Sequence, residues 1–526
     1  MPLALLSGAL LVASFPKLGH PAFAWIALAP LIVTVAVEAA SGLRRPRRVF
    51  TLGLVTGLVY FSGTLYWTAE VMATYGGLSM PVAVMVGGLL ASYLALYPAL
   101  FALLLWDAVG RLGASGLWLA PAFWVATEWV RAWFGGGFPW VLLGSSQASV
   151  IPVVQLASVT GVFGLSALVA LAATAAAAVA VSDSRGARVA AAAVVLLIGG
   201  VAAWGTWRVS AGEFVEGGAR TRIGLVQGSV NQDDKYDPRY RDRILSRHLD
   251  LTRQAIDAGA AVVIWPEAST PFFFDLETAL AAPIRQLAAE TRTPLIIGTD
   301  QVEPGPEGGS DRYYNSAVLV GPDGRTRAAY RKMQLVPFGE YVPLKSILFF
   351  VAPLVEAVSD FSAGEEAVVF DADGRRISIA ICYESVYPSI AQAFVERGSE
   401  VLATITNDAW FGRSSAAYQH FEQGALRAVE QARYVVRAAN TGISGGVDPY
   451  GRVLVTTPLF EPTVVTVDVV LLQSRTIYSR TGDVVAWVAL SVAAWMIVTA
   501  VVARRRSAAV VNRNVNRMPQ ARQGSR

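Results

Sequence analysis

The stretch ISIAICYE, residues 377–384, indicates the fold most directly. Its first five residues form a short, nearly uninterrupted apolar run, which is typical of a strand buried on both faces. The only cysteine of the chain and a glutamate follow within three residues. The apolar run 261–265 is likewise followed by Glu267, and the run 401–406 by Asn407. Polar and nucleophilic side chains directly after buried strands predict an α/β domain whose site lies at the strand ends.

Short β runs alternate with amphipathic helices throughout the region 220–470. The predicted strands are 222–227, 261–265, 294–298, 316–320, 377–381 and 401–406, and the predicted helices cover 238–257, 277–291, 387–397 and 416–435. This alternation predicts an α/β domain over 220–470 with largely buried sheets. It leaves open whether the sheets are parallel or mixed.

The rest of the chain is apolar enough to lie in a bilayer. Hydrophobic residues make up 54% of the sequence and charged residues 16%, against about 25% charged in soluble domains. Charged residues are scarce mainly in 1–208 and 484–503. Since roughly 20 apolar residues cross a bilayer as a helix, we predict a membrane domain over 1–210 with about seven spans and a C-terminal span at 484–503. The seven spans lie near 3–15, 22–40, 50–70, 81–105, 116–133, 151–181 and 189–207. The basic tail, 504–526, is expected to be disordered.

Arginine clusters set the expected orientation. They follow the second, the sixth and the last predicted spans, within 44–48, 185–188 and 504–506, and mark cytoplasmic ends by the positive-inside rule. Five predicted spans separate the first cluster from residue 208. An odd number of crossings places 209–483, and with it the α/β domain, on the extracytoplasmic face.

Composition argues against several classes of function. The net charge of +4 comes largely from these arginine clusters, so no basic face for nucleic acid is predicted. A single cysteine cannot form an intrachain disulfide. The three histidines, His20, His248 and His420, lie far apart with no HxxxH spacing. We therefore expect no metal site.

Three residues of the α/β domain have the types that one thiol reaction needs. Cys382 becomes a nucleophile once a base removes its proton. No histidine is a convincing base, so a carboxylate has to serve, and Glu267 is suited because a partly apolar site raises the pKa of a glutamate. A nearby lysine such as Lys332 favours the thiolate and can stabilise an oxyanion. A lone cysteine after a strand is more often a small buried hydrophobe, and the residues alone leave both interpretations open.

The motifs around these residues resemble the nitrilase superfamily, and more closely the apolipoprotein N-acyltransferases. The resemblance rests on the order of WPE at 265–267, YRKMQLVPFGEYVP at 330–343 and CYE at 382–384. It extends over nearly the whole chain, with EWVR at 128–131 and GFPW at 137–140 in the apolar half and NDAWFG at 407–412 in the α/β domain. It implies a multi-span α-helical membrane domain joined to an α/β nitrilase-like domain built as an αββα sandwich.

The resemblance also implies a role for each site residue. Glu267 is expected as general base, Lys332 as oxyanion stabiliser and Cys382 as nucleophile. The expected supporting residues are Glu340, Tyr383 and Glu384, and the residues expected to bind substrate are Tyr236, Trp410 and Phe411. Tyr236 stands where members of the family, with the pattern VQGNxxQxxKW, often carry a tryptophan. The position stays aromatic, and substrate packing there is expected to differ in detail.

The function implied is a ping-pong acyl transfer in a bacterial cytoplasmic (inner) membrane. A fatty acyl group would pass from a phospholipid to Cys382 as a thioester. It would then pass to the α-amino group of the N-terminal S-diacylglyceryl-cysteine of an apolipoprotein, the last step of lipoprotein maturation. The expected partners are these two substrates and the bilayer, without a metal, an organic cofactor or nucleic acid, and the enzyme is expected to be a monomer.

Two rival functions are considered. A membrane-tethered nitrilase or amidase would use the same three residues on a small amide, with water as the second nucleophile. A non-enzymatic scaffold would keep the fold and partner another membrane enzyme, although an intact Glu267, Lys332 and Cys382 set argues against it. The loop 336–361 is unusually apolar, with Phe349, Phe350 and Val351 inside it. Such a loop favours a lid or a membrane-contacting arm, and therefore acyl transfer, over a closed polar pocket. A loop buried in the core of the domain is the alternative interpretation.

Overall fold

The computed structural model describes residues 1–515 except 18, 44, 216, 236, 306–309, 338 and 342–360. The amino-terminal part is helical because long apolar runs leave the backbone no polar partner but itself. Its helices are α1 Pro2–Val12, α2 Ala24–Ala27, α3 Ala29–Ala40, α4 Pro46–Thr64, α5 Trp67–Thr74, α6 Met80–Leu112, α7 Ala120–Trp133, α8 Ile151–Val154, α9 Ala157–Val181 and α10 Arg185–Ala211.

Five described helical segments are long and apolar enough to cross a membrane: Pro21–Ala40, Met80–Gly136, Ala157–Val181, Arg185–Ala211 and Val484–Ala503. A sixth is added if α4 and α5, which are bent by 53° at their junction, count as one. The segment Met80–Gly136 contains both α6 and α7, which the sequence predicts as separate spans. The chain is therefore a membrane protein with several apolar helices. The predicted number of spans, about seven over 1–210 and one at 484–503, stays a prediction.

The α/β domain contains twelve described strands in two sheets of six. The strands are β1 Arg220–Gln227, β2 Val262–Ile264, β3 Leu295–Glu303, β4 Arg312–Val320, β5 Thr326–Arg331, β6 Val369–Asp371, β7 Arg376–Ile381, β8 Val401–Thr406, β9 Tyr434–Ala439, β10 Gly445–Val447, β11 Val453–Thr456 and β12 Thr463–Val470. The orders are β12-β1-β2-β3-β4-β5 and β11-β10-β9-β8-β7-β6. In each sheet three parallel strands, β1 to β3 or β7 to β9, are flanked by antiparallel ones. Both sheets are thus mixed.

The two sheets face each other and carry helices on their outer faces. Strand β1 lies against β9, and β4 lies against β7. The remaining helices are α11 Gln232–Lys235, α12 Arg241–Asp257, α13 Thr278–Thr291, α14 Pro388–Glu396, α15 Ala416–Gln431, α16 Ile477–Thr481 and α17 Val484–Val515. Helices α12 and α13 cover the first sheet, and α14 and α15 cover the second. The predicted αββα sandwich beside a helical membrane domain is confirmed.

Six strands of the structure are not predicted from the sequence: β5, β6 and β9 to β12. The predicted helix 416–435 also runs too far. It ends at Gln431 because Ala432 takes a left-handed conformation with φ of 49°, and β9 begins at Tyr434. Helix α17 continues from the membrane segment to Val515, and the last part of the predicted tail, 516–526, lies outside the described residues.

Helix α15 joins the sandwich to the membrane helices through buried amides. The Gln419 side chain accepts a hydrogen bond from Trp140 Nε1 at 2.8 Å and donates one to the Thr64 carbonyl at 3.2 Å. One turn further, Gln423 Oε1 accepts from the Val141 backbone N–H at 3.0 Å. The backbone at Thr64 and Val141 lies at a helix end and in a loop, where intrahelical partners are missing. These contacts place one face of the α/β domain directly on the membrane domain.

Candidate active site

The three predicted catalytic residues lie at strand ends that the fold brings together. Cys382 follows β7 directly, Lys332 follows β5, and Glu267 lies three residues beyond β2. Cys382 has a φ of 52°, a left-handed conformation that residues other than glycine rarely adopt. Glu267 and Lys332 are almost completely buried, at 7% and 1% exposure, and Cys382 is partly buried.

A buried polar cluster surrounds the lysine. Lys332 Nζ lies 2.8 Å from Glu340 Oε1 and 3.6 Å from Glu267 Oε1. The amide of Asn315 spans the two carboxylates, since its Nδ2 donates to Glu267 at 2.6 Å and to Glu340 at 3.0 Å. The second oxygen of Glu267 accepts a hydrogen bond from the backbone N–H of Asn407 at 2.7 Å. These donors hold the buried Glu267 and the partly buried Glu340 next to one ammonium group.

The charges of the cluster act on the thiol. Burial alone would lower the pKa of Lys332, but Glu340 and Glu267 outweigh burial and raise it, so the lysine is charged at neutral pH. Burial raises the pKa of the Cys382 thiol, Glu267 raises it further, and Lys332 opposes both. The resting thiol is therefore protonated. A reaction at Cys382 needs a base that removes this proton while the nucleophile attacks.

Glu384 connects the cysteine turn to the lysine loop. Its Oε2 accepts a hydrogen bond from the Ile381 backbone N–H at 2.7 Å. Its Oε1 accepts from the Met333 backbone N–H at 2.6 Å and from the Tyr330 hydroxyl at 2.8 Å. Burial raises the pKa of Glu384 to about 7, and the hydrogen bonds to its carboxylate oppose that rise. The residue is fully buried and contacts the turns that carry both Cys382 and Lys332.

Tyr383 contacts the membrane domain. Its hydroxyl donates to the Gly137 carbonyl at 3.3 Å. Its ring stacks on Trp140, with centroids 6.3 Å apart and an interplanar angle of 20°. The neighbouring Tyr387 hydroxyl donates to the same carbonyl at 3.2 Å. The residue after the cysteine is therefore held against the loop that follows α7.

The residues predicted to bind substrate lie around this junction where they are described. Phe411 packs edge-on against Trp67, with centroids 5.0 Å apart. Trp410 is 36% exposed and packs edge-on against Tyr75 at 4.9 Å. Tyr236 lies outside the described residues, as does most of the apolar loop 336–361.

The sequence interpretation misses two residues of the site, Asn315 and His420. Asn315 lies within β4, opposite Asp300 of β3, and not after a buried strand, where Cys382 and Glu267 lie. His420 is fully buried in α15, and its Nε2 lies 3.0 Å from the Cys382 carbonyl oxygen. An asparagine in a strand and a histidine on an amphipathic helix carry no local signal of such contacts. Only the packing of β4 and α15 against the strand ends reveals them.

Two mixed sheets between helix layers, with a glutamate, a lysine and a cysteine at the strand ends, define an enzyme of the carbon–nitrogen hydrolase class. The Carbon-nitrogen hydrolase family matches residues 222–477, and the Apolipoprotein N-acyltransferase N-terminal domain matches residues 7–175. The apolipoprotein N-acyltransferase of Geobacter metallireducens is 41% identical over 508 residues, which cover 96% of this chain and 95% of that protein. That of Methylococcus capsulatus is 34% identical and covers 97% of both. The chain belongs to the apolipoprotein N-acyltransferase family and is an acyltransferase.

Among solved structures, an amidase of the nitrilase superfamily from Nesterenkonia aligns with 51% of this chain and 97% of its own. Its identity is 21% and its TM-score is 0.39. The family membership itself rests on the relatives that match almost the whole chain.

Proposed function

We propose that this chain transfers a fatty acyl group from a phospholipid to the α-amino group of the N-terminal S-diacylglyceryl-cysteine of an apolipoprotein, through a thioester on Cys382. The observation that carries the proposal is the contact of Lys332 with Glu267 and Glu340 next to the turn that carries Cys382. The names of the relatives support acyl transfer to a lipoprotein over hydrolysis of a small amide.

In the first half-reaction Glu267 removes the proton of Cys382, and the sulfur attacks the carbonyl carbon of the phospholipid's sn-1 ester. The oxyanion that forms is stabilised by the Lys332 ammonium group and by the backbone N–H of Tyr383. The intermediate then collapses. The carbon–oxygen ester bond breaks, the lysophospholipid oxygen takes the proton held by Glu267, and the acyl group remains on the sulfur.

In the second half-reaction the neutral α-amino group of the apolipoprotein attacks the thioester carbon. Glu267 accepts the proton of the attacking nitrogen, and Lys332 again faces the oxyanion. The carbon–sulfur bond breaks, the thiolate recovers the proton from Glu267, and an N-acyl amide leaves. Each cycle returns Glu267 and Cys382 to their starting protonation states without a metal or an organic cofactor.

The remaining site residues have supporting roles in this proposal. Glu340 orients Lys332, and Glu384 holds the cysteine turn. Trp410 and Phe411, with Tyr236, contact the lipid substrates. Their neighbours Trp67 and Tyr75 belong to the membrane domain, which supports access to the site from the bilayer.

The proposal includes an arrangement in the membrane. A membrane domain over 1–210 and a C-terminal span at 484–503 hold the catalytic domain, 220–470, on the extracytoplasmic face of the bacterial cytoplasmic membrane, with the basic tail 504–526 inside. The placement of the arginine clusters supports this orientation. Phospholipid and apolipoprotein occupy the one site in turn, and the enzyme acts as a monomer.

The covalent intermediate provides the test. Purified protein incubated with phospholipid labelled in its sn-1 chain should form an acyl adduct that hydroxylamine releases, and Cys382→Ala should form none. Addition of a diacylglyceryl peptide should discharge the adduct and yield labelled N-acyl peptide. A wild-type protein that forms no adduct, and instead hydrolyses small amides, would show that the proposal is wrong.

A further inference from the structure

His420 contacts the backbone of the nucleophile rather than its sulfur. Its Nε2 lies 3.0 Å from the carbonyl oxygen of Cys382 and 3.0 Å from Ser385 Oγ. The Ser385 hydroxyl donates to the same carbonyl oxygen at 2.9 Å. The carbonyl of a residue in a left-handed conformation thus lies next to two side chains that can donate to it.

The neighbours of the imidazole ring determine which nitrogen carries the proton. Arg437 Nη2 lies 2.9 Å from His420 Nδ1, and a guanidinium group can only donate. Arg437 Nη2 is nearer to Nδ1 than the Asp408 carboxylate is, at 2.9 Å against 3.2 Å, so we infer that Nδ1 accepts from Arg437. The carbonyl oxygen of Cys382 can only accept, so Nε2 must carry the hydrogen. Burial and the charge of Arg437 lower the pKa of His420, which keeps the ring neutral.

Asp408 completes this arrangement. It pairs with Arg437 through Oδ2 at 2.7 Å and accepts from the Thr406 hydroxyl through Oδ1 at 2.8 Å. Its Oδ1 lies 3.2 Å from His420 Nδ1. Burial alone would raise the pKa of Asp408, but the neighbouring Arg437 guanidinium outweighs burial and holds it well below its usual range. An ionised Asp408 fixes Arg437 in the position from which it donates to the imidazole.

The peptide after Cys382 links this arrangement to the chemistry. A peptide unit is planar and trans, so its C=O and N–H point in opposite directions. Donors that hold the carbonyl oxygen of Cys382 on one side therefore aim the N–H of Tyr383 on the other. That N–H is the backbone donor to the oxyanion in the proposed mechanism.

We propose that His420 is a positioning residue that holds the Cys382–Tyr383 peptide by donating from Nε2, with Asp408 and Arg437 setting its tautomer. The inference rests on the proposed reaction at Cys382 and adds the group that fixes the oxyanion donor. It also assigns a function to the buried contact between α15 and the cysteine turn.

The pair His420→Gln and His420→Asn tests the proposal in the full-length protein. The amide nitrogen of glutamine can occupy the place of Nε2 and donate to the carbonyl, whereas that of asparagine corresponds to Nδ1 and cannot reach it. Loss of one oxyanion donor costs on the order of 100-fold or more in rate. We expect His420→Gln to keep the acylation rate within about tenfold of wild type, and His420→Asn to lose about 100-fold in kcat with little change in KM.

Two chemical probes distinguish positioning from loss of structure. Alkylation of Cys382 by iodoacetamide forms no oxyanion, so it should proceed at the wild-type rate in both variants. Acylation of Cys382 by p-nitrophenyl butyrate does form an oxyanion. Its rate therefore reports on the same backbone donor, the Tyr383 N–H, even if phospholipid is not the acyl donor. Failure of the phospholipid reaction in the wild type would thus overturn the proposed function and leave the role of His420 measurable.

Equal losses of acylation rate in the glutamine and asparagine variants would overturn the role of His420. An alkylation rate that falls by the same factor as the acylation rate would overturn it too. If His420→Asn does not fold, Ser385→Ala removes the other donor to the same carbonyl. That variant should lower acylation by roughly tenfold and leave alkylation unchanged. Wild-type acylation in Ser385→Ala would contradict the proposal.

Discussion

At the scale of single residues, the site combines a protonated thiol with charges that are fixed by neighbours. Lys332 faces two carboxylates, and Asn315 donates to both of them, so neither Glu267 nor Glu340 depends on the lysine alone. The orientation of the Asn315 amide follows from this contact, because its oxygen would be repelled by the two carboxylates. Asn315 thus links the two carboxylates that flank Lys332. Glu384 in turn joins the lysine loop to the turn that carries Cys382.

Glu384 makes the site sensitive to pH. Its pKa of about 7 lies above the ordinary value of 4.5, so the folded protein binds this proton more tightly than the unfolded chain does. The group therefore stabilises the fold below about pH 4.5, and this contribution is lost as the pH rises through about 7. We expect catalysis to depend on pH in the opposite direction, because a protonated carboxyl accepts fewer of the hydrogen bonds that join the Cys382 and Lys332 turns.

We predict that the rate of acyl-adduct formation falls as the pH drops below about 7, while the melting temperature does not fall with it. Glu384→Gln should lack this acidic limb and react about tenfold or more slowly at every pH, since an amide leaves at least one buried donor without its acceptor. Measurement of adduct formation and thermal unfolding across pH in both proteins tests this. An unchanged acidic limb in Glu384→Gln would assign the titration to another group.

The sequence predicts the site residues that follow buried strands, because an apolar run with a reactive residue at its end is a local signal. Cys382 and Glu267 are found in this way, whereas Lys332 follows β5, a strand that the sequence does not predict, and is found from the motif around it. The catalytic roles of all three stay predictions. Asn315 and His420 contact the site only through the pairing of β4 with β3 and the packing of α15 on the second sheet. Pairings of that kind join residues far apart in the chain, and periodicity carries no information about them.

At the scale of elements, strands that alternate with helices are predicted best, and the antiparallel edge strands are missed. Strands β7 and β8 are apolar runs, and their predicted bounds, 377–381 and 401–406, agree with the structure to within one residue. Strands β11 and β12 are partly exposed, so no uninterrupted apolar run identifies them. Strand β9 continues from α15 after two residues, and its hydrophobic residues extend the helical pattern. Local periodicity therefore assigns it to the helix.

The loop after α7 is an element whose shape depends on glycine. Gly135, Gly136 and Gly137 all have positive φ, and the Gly137 carbonyl accepts the hydroxyls of Tyr383 and Tyr387. A Cβ at Gly137 would lie 2.1 Å from the carbonyl oxygen of Ala132, a distance that no side chain can adopt. A side chain at this position would therefore force the loop that contacts Tyr383 to shift.

We predict that Gly137→Ala destabilises the protein by about 1–3 kcal/mol and lowers the acylation rate, because the carbonyl that holds Tyr383 has to move. Thermal unfolding in detergent and adduct formation measure the two effects. Gly88→Ala is the matched control: Gly88 lies inside α6 with no atom within 4 Å of an added Cβ. The control should be neutral or stabilising by up to ~1 kcal/mol, since alanine is the better helix former. Equal behaviour of the two variants would contradict the role of the loop.

At the scale of the whole molecule, the catalytic domain and the membrane helices form one continuous structure. Gln419 and Gln423 bind backbone groups of the membrane domain, and His420, between them on the same helix, contacts the Cys382 carbonyl. The helices thus hold α15 as well as anchor the protein. In the proposed reaction both substrates carry lipid chains. The contact between the sandwich and the membrane helices can serve that reaction only if the sandwich lies on the side of the membrane from which both substrates reach it.

The orientation is open to a direct test with introduced cysteines in a Cys382→Ala background. Gln254→Cys lies on the exposed face of α12, and Asp183→Cys lies in the exposed turn between α9 and α10. If the arginines of 185–188 are cytoplasmic, a membrane-impermeant maleimide should label Gln254→Cys in spheroplasts and Asp183→Cys only in inside-out vesicles. Labelling after denaturation normalises the amounts of the two proteins. The reverse pattern would place the catalytic domain in the cytoplasm, away from exported apolipoproteins, and would contradict both the orientation and the proposed acceptor.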